Sequence, residues 1–600
     1  MFEWEEGELS PEQEEAIRES ESVFLVACPG SGKTRTLTYK IAYELSKLDS
    51  DRQHVVAITY THRAADEIHE RIEGLGVDTS RLWIGTIHSF CLEWILRPYG
   101  VYHPSLKNGF RVLDSHEREK LLEQLCEPYR RPKITHWDCD CHFVPGGYVL
   151  ACQDARKHSG LRAILAEYFR ILDERRQVDF ELILYYAYEI VESNPAVSQI
   201  LSRIISFVAV DEYQDTKQIQ YSIIASILRA GDGNVRAFVV GDPNQAIYGT
   251  LGGYPIPFDD FKDMAGIELK ERSLSKNYRS SGRIIDYFGN FNVHGTLVEA
   301  ASKDKDYPSV VTFDSALERS GLEAELVRLI RHNVETLGTA PGEVCVLAPQ
   351  WVHLAGMTRR LVASLPEYHF DGPGMVPFAR DQDNFWYKLA KVALTEPAPS
   401  TYVRRLRWAG EILKDLESAG VRTSGITASS FLKDCNSVET AETDGLAYLR
   451  SFFEGLFGRI GIDFSAFSAL ADDHAAFFES SQARIDRLKK EGTEFSDVES
   501  FKKVFRNRTG ITVSTIHGVK GAEFDCVIAF GLLQDWVPHF SDPKGDESAK
   551  KLLYVIASRA RKNLHLISER GRVNFFGNEL AATRVLSGCR FDYDAAAGLP

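Results

Sequence analysis

Lys33 and Thr34 close the run Ala27-Cys-Pro-Gly-Ser-Gly-Lys33-Thr34, a pattern suited to phosphate chemistry. Gly30 and Gly32 let the backbone curl so that successive N–H groups face phosphate oxygens. A helix starting there adds its positive end to the same site. Lys33 is placed to meet the β- and γ-phosphates of a nucleotide, and Thr34 to hold Mg²⁺ through its hydroxyl. The plainer reading is a glycine-rich turn beside a lysine. What separates the two is a strand before the loop and a helix after it.

A second constellation lies far downstream, where Val208-Ala-Val210 delivers Asp211-Glu212. An apolar strand ending in Asp-Glu suits Asp211 as the metal carboxylate and Glu212 as the group that positions or deprotonates water. Asp-Glu pairs are common at solvated loop ends, so this pair gains its meaning from Lys33 and Thr34. Phosphoryl transfer also needs positive charge on the developing transition state. Arg279 and Arg559 are the candidates for that task.

The elements that must position these groups can be read from apolar spacing. Short apolar runs at 23–27, 55–58, 207–210, 237–240, 343–347, 526–530 and 564–567 read as buried strands. Leu37, Ile41, Leu45 and Leu48 recur at helical spacing just after the glycine-rich loop. Strands alternating with helices imply parallel sheets covered on both faces, with ligands at the carboxyl ends of the strands. Two long blocks, near 91–200 and 380–505, are mainly helical in pattern, including 383–394, 402–416 and 476–490. The expectation is α/β architecture: two domains, each interrupted by a helical insertion.

Composition agrees with an enzyme of this kind. Six hundred residues exceed one hydrophobic core. Hydrophobic residues at 44% and charged residues at 26% exclude a disordered chain, a collagen and a coiled-coil rod. No stretch has the eighteen or so uninterrupted apolar residues of a membrane helix. Residues 1–21 hold nine Glu against the single Arg18, unlike an export signal, so a cytoplasmic location is expected. A net charge of −15 argues against indiscriminate coating of nucleic acid but allows a local basic groove.

At this level of detail the chain resembles the superfamily 1A helicases of the UvrD/Rep/PcrA type. Leu9-Ser-Pro-Glu-Gln13 is similar to the adenine-reading Q-motif. Motif Ia is matched by Val56-Ala-Ile-Thr-Tyr60-Thr-His-Arg-Ala-Ala65 and motif Ib by Gly85-Thr-Ile-His88-Ser-Phe90. Asp211-Glu-Tyr-Gln-Asp215 resembles motif II, and Val240-Gly-Asp-Pro-Asn-Gln245-Ala-Ile-Tyr248-Gly motif III. Asn277-Tyr278-Arg279-Ser280 is similar to motif IV. The runs from Thr512 to Asp525 and from Tyr554 to Arg561 resemble motifs V and VI.

The resemblance implies two RecA-like P-loop domains: 1A over 1–90 and 200–271, and 2A over 272–379 and 506–600. The mainly helical insertions are then 1B at 91–199 and a short 2B at 380–505. It implies ATP and Mg²⁺ as cofactors, single-stranded DNA or duplex with a 3′ single-stranded tail as partner, and 3′ to 5′ movement. The implied ATP site comprises Gln13, Gly30, Ser31, Gly32, Lys33, Thr34, Arg35, Tyr278 and Glu523. Gln13 would read adenine, Tyr278 stack on it and Glu523 meet the ribose. Gln245 would sense the γ-phosphate, and Arg279 and Arg559 would act as arginine fingers. Tyr60, His88, Tyr248, Thr515 and His517 match positions facing single-stranded DNA.

Two departures qualify that picture. The family continues motif III as Tyr-Gly-Trp-Arg-Gly, whereas this chain reads Tyr248-Gly249-Thr250-Leu251-Gly252. Losing one base–aromatic stack removes about 1–3 kcal/mol of grip on the strand, which weighs against processive unwinding. The short 2B is similar to compact UvrD-like subunits of antiphage systems, such as the Gabija helicase that pairs with a nuclease. That similarity opens an alternative, a DNA-stimulated ATPase that regulates or loads a nuclease partner with little unwinding. Cys126, Cys139, Cys141 and Cys152, with His136, His142 and His158 nearby, have enough donors for zinc or an iron–sulfur cluster. Their Cys-x-Cys spacing is not that of the usual knuckle, and free buried cysteines are ordinary.

Overall fold

The computed structural model describes residues 2–372, 378, 384–490, 496–505, 509–574 and 576–595. The start of the expected helix at 383 and the expected boundaries at 379/380 and 506 lie outside the described residues.

Two six-stranded sheets organise the chain. The first contains β1 (Ser22–Ala27), β2 (His54–Thr59), β3 (Leu82–Thr86), β4 (Ile205–Val210), β5 (Arg236–Gly241) and β6 (Leu269–Leu274). Their spatial order is β6-β1-β5-β4-β2-β3, and every neighbouring pair is parallel. β4 is buried along its whole length. An apolar run with no polar alternation is what a central parallel strand covered on both faces requires. The second sheet takes β7 (Val311–Asp314), β8 (Val344–Ala348), β9 (Phe370–Asp371), β10 (Ile511–Thr515), β11 (Phe524–Ala529) and β12 (Ala560–Ile567). Its order is β7-β12-β11-β8-β10-β9. The fold is therefore mixed α/β with parallel sheets, consistent with two RecA-like domains.

Helix α1 (Pro11–Arg18) begins with a reciprocal cap: Ser10 Oγ accepts from the Gln13 amide and Gln13 Oε1 accepts from the Ser10 amide. Helix α2 (Lys33–Leu45) follows β1 through the glycine-rich loop. Leu37, Ile41 and Leu45 are buried against β1, β2, β4 and β5, and Leu48 packs on the same core. One charged group lies under α2. Lys40 is fully buried, donates to the carbonyls of Ile17 and Glu19, and pairs with Glu44 at 3.0 Å. Arg236 on β5 reaches the other Glu44 oxygen at 2.5 Å. The helix that carries the phosphate loop is thus fastened to both α1 and the sheet.

The chain between β3 and β4 is not purely helical. Helices His158–Glu174, Phe180–Ser193 and Pro195–Ile204 are accompanied by an antiparallel hairpin, Cys141–Val144 with Gly147–Leu150. Residues 111–124 group with 371–509 as a second compact unit. That unit is helical, including Phe385–Leu394, Pro399–Ser418, Gly445–Ile460 and Ser468–Lys490. Trp386, fully buried, centres its core among Phe453, Phe457 and Phe464 and donates Nε1–H to the Leu470 carbonyl. Among the described residues no helix is long and apolar enough to cross a membrane.

Removing one partner of a buried ion pair leaves an uncompensated charge, at about 3–5 kcal/mol. Glu44→Ala is expected to destabilise the chain by about that amount in urea unfolding. A loss below about 0.5 kcal/mol, the range of an ordinary surface change, would show that Glu44 does not hold Lys40 in place.

Candidate active site

The loop after β1 is shaped by left-handed glycines. Gly30 has φ +69° and Gly32 φ +81°. A Cβ at Gly30 would lie 2.5 Å from Arg279 Cβ, and one at Gly32 2.6 Å from Gln13 Nε2. Gly32 also precedes the first turn of α2, so the free N–H groups of that turn point at the loop. The Ser31 hydroxyl donates to the Cys28 carbonyl at 2.7 Å, and Gln13 Nε2 donates to the Ser31 carbonyl at 2.9 Å. Lys33 Nζ is buried, 3.6 Å from Glu212 Oε2, with no hydrogen-bond partner among the described residues. A buried ammonium without an acceptor marks a place for an anion. Arg35 is exposed beside Glu8 and Tyr39.

Asp211 directly follows β4 and is 7% exposed, and Glu212 comes next at φ +51°. A non-glycine residue held there is strained by about 1–3 kcal/mol, and such residues cluster at functional sites. Burial first, and Glu212 second, push the Asp211 carboxyl up. Burial pushes Glu212 up as well, but Lys33 and Lys520 outweigh it, and its carboxyl ends below the ordinary range. Glu212 is thus held as a carboxylate, able to accept a proton. Gln214 donates to that carboxylate, and its Oε1 accepts from the Asp242 amide at 2.9 Å. Thr34, in the first turn of α2, and Asp211, just after β4, supply a hydroxyl and a carboxylate. Their hard-oxygen chemistry fits Mg²⁺.

The opposite side comes from the second sheet. Arg559, 2% exposed, sits at the junction of α3 (Asp546–Ser558) and β12. It donates to Gln245 Oε1 at 2.7 Å, while Gln245 Nε2 donates to Asp242 at 2.8 Å. Burial first, then the neighbouring Arg279, lowers its hold on the proton. Arg279 Nε donates to Glu523 Oε2 at 2.6 Å and its terminal nitrogen to the Ser558 carbonyl at 3.1 Å. Tyr278 is 44% exposed, and its amide donates to the Gly30 carbonyl at 2.9 Å. Lys33, Asp211, Glu212, Gln245, Arg279 and Arg559 are thereby gathered around one cleft.

A row of rings lies beyond Gln245. Tyr60, at the end of β2, faces Tyr248 with ring centroids 4.9 Å apart, and Tyr248 faces His517 at 5.2 Å. The Tyr248 hydroxyl donates to the His517 carbonyl at 3.3 Å. Thr515 ends β10 and its hydroxyl accepts from the Gly518 amide at 3.1 Å. His88 instead packs edge-on against Phe180 at 5.7 Å. Thr250 and Leu251 are both exposed. Of the four clustered thiols, Cys126 and Cys139 meet at 3.6 Å, whereas Cys152 is turned to Asp138.

Residues 9–265 match the model of the UvrD/REP helicase N-terminal domain, and 484–571 that of the UvrD-like helicase C-terminal domain. Together they match more than half of the chain. The chain belongs to the UvrD/Rep helicase family. A probable DNA helicase II homolog of Rickettsia conorii is 24% identical over 95% of this chain and 93% of its own length. The ATP-dependent DNA helicase PcrA of Staphylococcus epidermidis is 23% identical over 94% of this chain and 84% of its own. DNA helicase II of Salmonella typhimurium is 30% identical over 46% of this chain and 39% of its own.

This UvrD/Rep-family chain is accordingly an ATP-hydrolysing enzyme, and its geometry adds residues to which the sequence assigned no role. Asn277 donates to the Pro29 carbonyl at 2.7 Å, binding motif IV to the phosphate loop. Asn244 bridges motif III to the stretch after helix Gly282–Gly289, donating to Asn292 and Thr296 and accepting from the amides of Val293 and His294. Lys520 pairs with Asp215. All lie inside the motif strings, which is the signal that could have singled them out.

Gly32→Ala places an L-residue in the left-handed region, at about 1–2 kcal/mol, and its Cβ against Gln13. Affinity for a fluorescent ATP analogue is expected to fall about tenfold. Unchanged affinity in a folded variant would show that the loop can take another shape to bind phosphate.

Proposed function

We propose that the chain is an ATP-driven DNA helicase that translocates 3′ to 5′ on single-stranded DNA and opens duplexes carrying a 3′ single-stranded tail. The observation that carries this reading is the bond between Arg559 and Gln245. It joins the charge needed at the γ-phosphate to the residue three positions before Tyr248. The relatives add support, since PcrA of Staphylococcus epidermidis and helicase II of Salmonella typhimurium are DNA helicases.

In this reading Gln13 reads adenine, the exposed Tyr278 ring stacks on it and Glu523 meets the ribose. The amides of Gly30, Ser31 and Gly32, with Arg35 at the rim, surround the phosphates, and Lys33 donates to a phosphate oxygen while staying beside Glu212. Thr34 and Asp211 would hold Mg²⁺, which supplies neutralisation of phosphate charge when bound. Glu212, kept ionised by Lys33 and Lys520, accepts the proton of the attacking water, and Gln214 fixes its direction. Arg279 and Arg559 stabilise charge that grows on the γ-phosphoryl oxygens. Hydrolysis removes the group that holds both arginines, and the two sheets separate. Tyr60, Tyr248 and His517 offer ring faces to bases irrespective of sequence, with Thr515 beside them, while His88 packs against Phe180 apart from this row.

Glu212→Gln is expected to retain nucleotide affinity and lose at least about a hundredfold in turnover, the lower range of a general-base contribution. Turnover within threefold of wild type would remove Glu212 from that role. Strand displacement is measured beside ATP turnover. Hydrolysis stimulated by single strands with no displacement would replace the helicase with the alternative, an ATPase serving a partner.

Thr250 is exposed, so an indole there enters open surface rather than a packed core. Thr250→Trp is expected to tighten single-strand binding by about five- to 150-fold, the equivalent of one stack at about 1–3 kcal/mol. Unchanged affinity in a variant of unchanged melting temperature would place Thr250 off the strand path.

A further inference from the structure

Glu523 carries two arginines at once. Its Oε2 accepts from Arg279 Nε at 2.6 Å, and its Oε1 accepts from Arg561 Nη1 at 3.2 Å. Glu523 directly precedes β11, whose first amide, that of Phe524, donates to the Arg559 carbonyl at 2.9 Å. Burial pushes the Glu523 carboxyl up, but Arg279 and then Arg561 outweigh burial and hold it below the ordinary carboxylate range. Its charge also supports that of Arg559, which burial and Arg279 oppose. One carboxylate thus offsets the mutual repulsion of guanidiniums gathered at one wall of the cleft. Glu523 keeps 43% of its side chain exposed, so a sugar can reach it, whereas Arg279 keeps 14%.

The two arginines are not held alike. Arg561, in β12, donates through Nε to Asp525 at 2.6 Å and through Nη2 to Glu343, besides its bond to Glu523. Asp525 is itself paired with Lys562 at 3.0 Å. Arg279 is tied more lightly: among the described residues its other side-chain bond goes to the neutral Ser558 carbonyl at 3.1 Å. The backbone beside it is fastened, since the Ser280 hydroxyl donates to the Ala560 carbonyl at 2.7 Å and the Ser281 amide to the Arg561 carbonyl at 3.0 Å. Freedom to move here belongs to the Arg279 side chain, while Glu523 stays with Arg561. A guanidinium fork fits carboxylate and phosphate alike, so Glu523 and a phosphoryl oxygen are rival acceptors for Arg279. A hydroxyl that donates to Glu523 occupies the same lone pairs and weakens its hold on the arginine.

Resting on the reading above, in which Glu523 meets the ribose and Arg279 the γ-phosphoryl group, we propose that Glu523 is a latch on Arg279 that the ribose hydroxyls release. Arg279 leaves the carboxylate for the γ-phosphoryl oxygens as the sugar takes its place, and Arg561 keeps Glu523 within reach of the sugar. A contact that frees a catalytic group contributes to the transition state and shows in kcat, whereas one that only holds the nucleotide shows in KM.

The test compares ATP with 2′,3′-dideoxyATP, which lacks both ribose hydroxyls, on wild type and on Glu523→Gln. Turnover is read with saturating oligo(dT), and melting temperature checks the fold of the variant. On wild type the dideoxy nucleotide is expected to lose about tenfold in kcat, the equivalent of one hydrogen bond to a charged group, beyond any rise in KM. Glu523→Gln exchanges the carboxylate for a neutral amide of the same size. Both nucleotides are then expected to turn over at similar rates, close to that of wild type with ATP. A dideoxy nucleotide with raised KM and unchanged kcat on wild type would leave the ribose contact standing and overturn the latch. KM and kcat both unchanged would show that Glu523 does not meet the ribose, so the underlying reading fails first. A folded Glu523→Gln that still separates the two nucleotides in kcat, or turns over both slowly, would also overturn the latch. The wild-type comparison decides without the variant.

Discussion

A guanidinium with 2% exposure has to find partners inside the protein, and Arg559 finds Gln245 on the opposite side of a cleft between two sheets. Everything else in the site is arranged around that meeting. Gln245 is fixed from behind by Asp242, whose amide is in turn bonded to the side chain that holds Glu212. Burial and Arg279 oppose the charge of Arg559, while the carboxylates of Glu212, Asp242 and Glu523 support it. Lys33, 3.6 Å from Glu212 and without a hydrogen-bond acceptor among the described residues, supplies positive charge from the other wall.

The cleft is also closed by neutral contacts. Asn277 and the Tyr278 amide bind the start of the second α/β region to the phosphate loop, and Asn244 reaches across to four groups near residue 292. Each bond is individually worth about 1 kcal/mol net, so the set holds the walls together without locking them. Such a contact surface can open when the phosphate that bridges Lys33 and the arginines is lost. Fold and chemistry meet here: parallel sheets present their strand ends to one crevice, and the residues at those ends supply both its walls.

Much of this is legible in the sequence. The central strands read as unbroken apolar runs because both faces of β1, β4 and β5 are buried, and the phosphate loop announced itself through Gly30, Gly32 and Lys33. Edge strands were harder. Leu269–Leu274 carries Lys270, Glu271, Arg272 and Ser273 between its apolar ends, so β6 shows no apolar run to find. The hairpin at 141–150 was hidden by its short strands inside a block of helical pattern. Asn244, Asn277 and Lys520 gain their importance from partners that only the fold supplies. Spacing along the chain carries no trace of Asp215 meeting a lysine 305 residues away. The placement of His88 against Phe180 likewise depends on a helix far downstream of its own motif.

The claim that a single buried contact joins the two walls into one catalytic unit is tested most directly by a double-mutant cycle over Arg559→Ala and Gln245→Ala, read in ATP turnover with saturating single-stranded DNA. If the two side chains act as a unit, the double variant loses little more than the worse single variant, and the interaction energy lies between about 0.5 and 3 kcal/mol. Losses that simply multiply, leaving an interaction energy within about 0.3–0.5 kcal/mol of zero, would contradict the account.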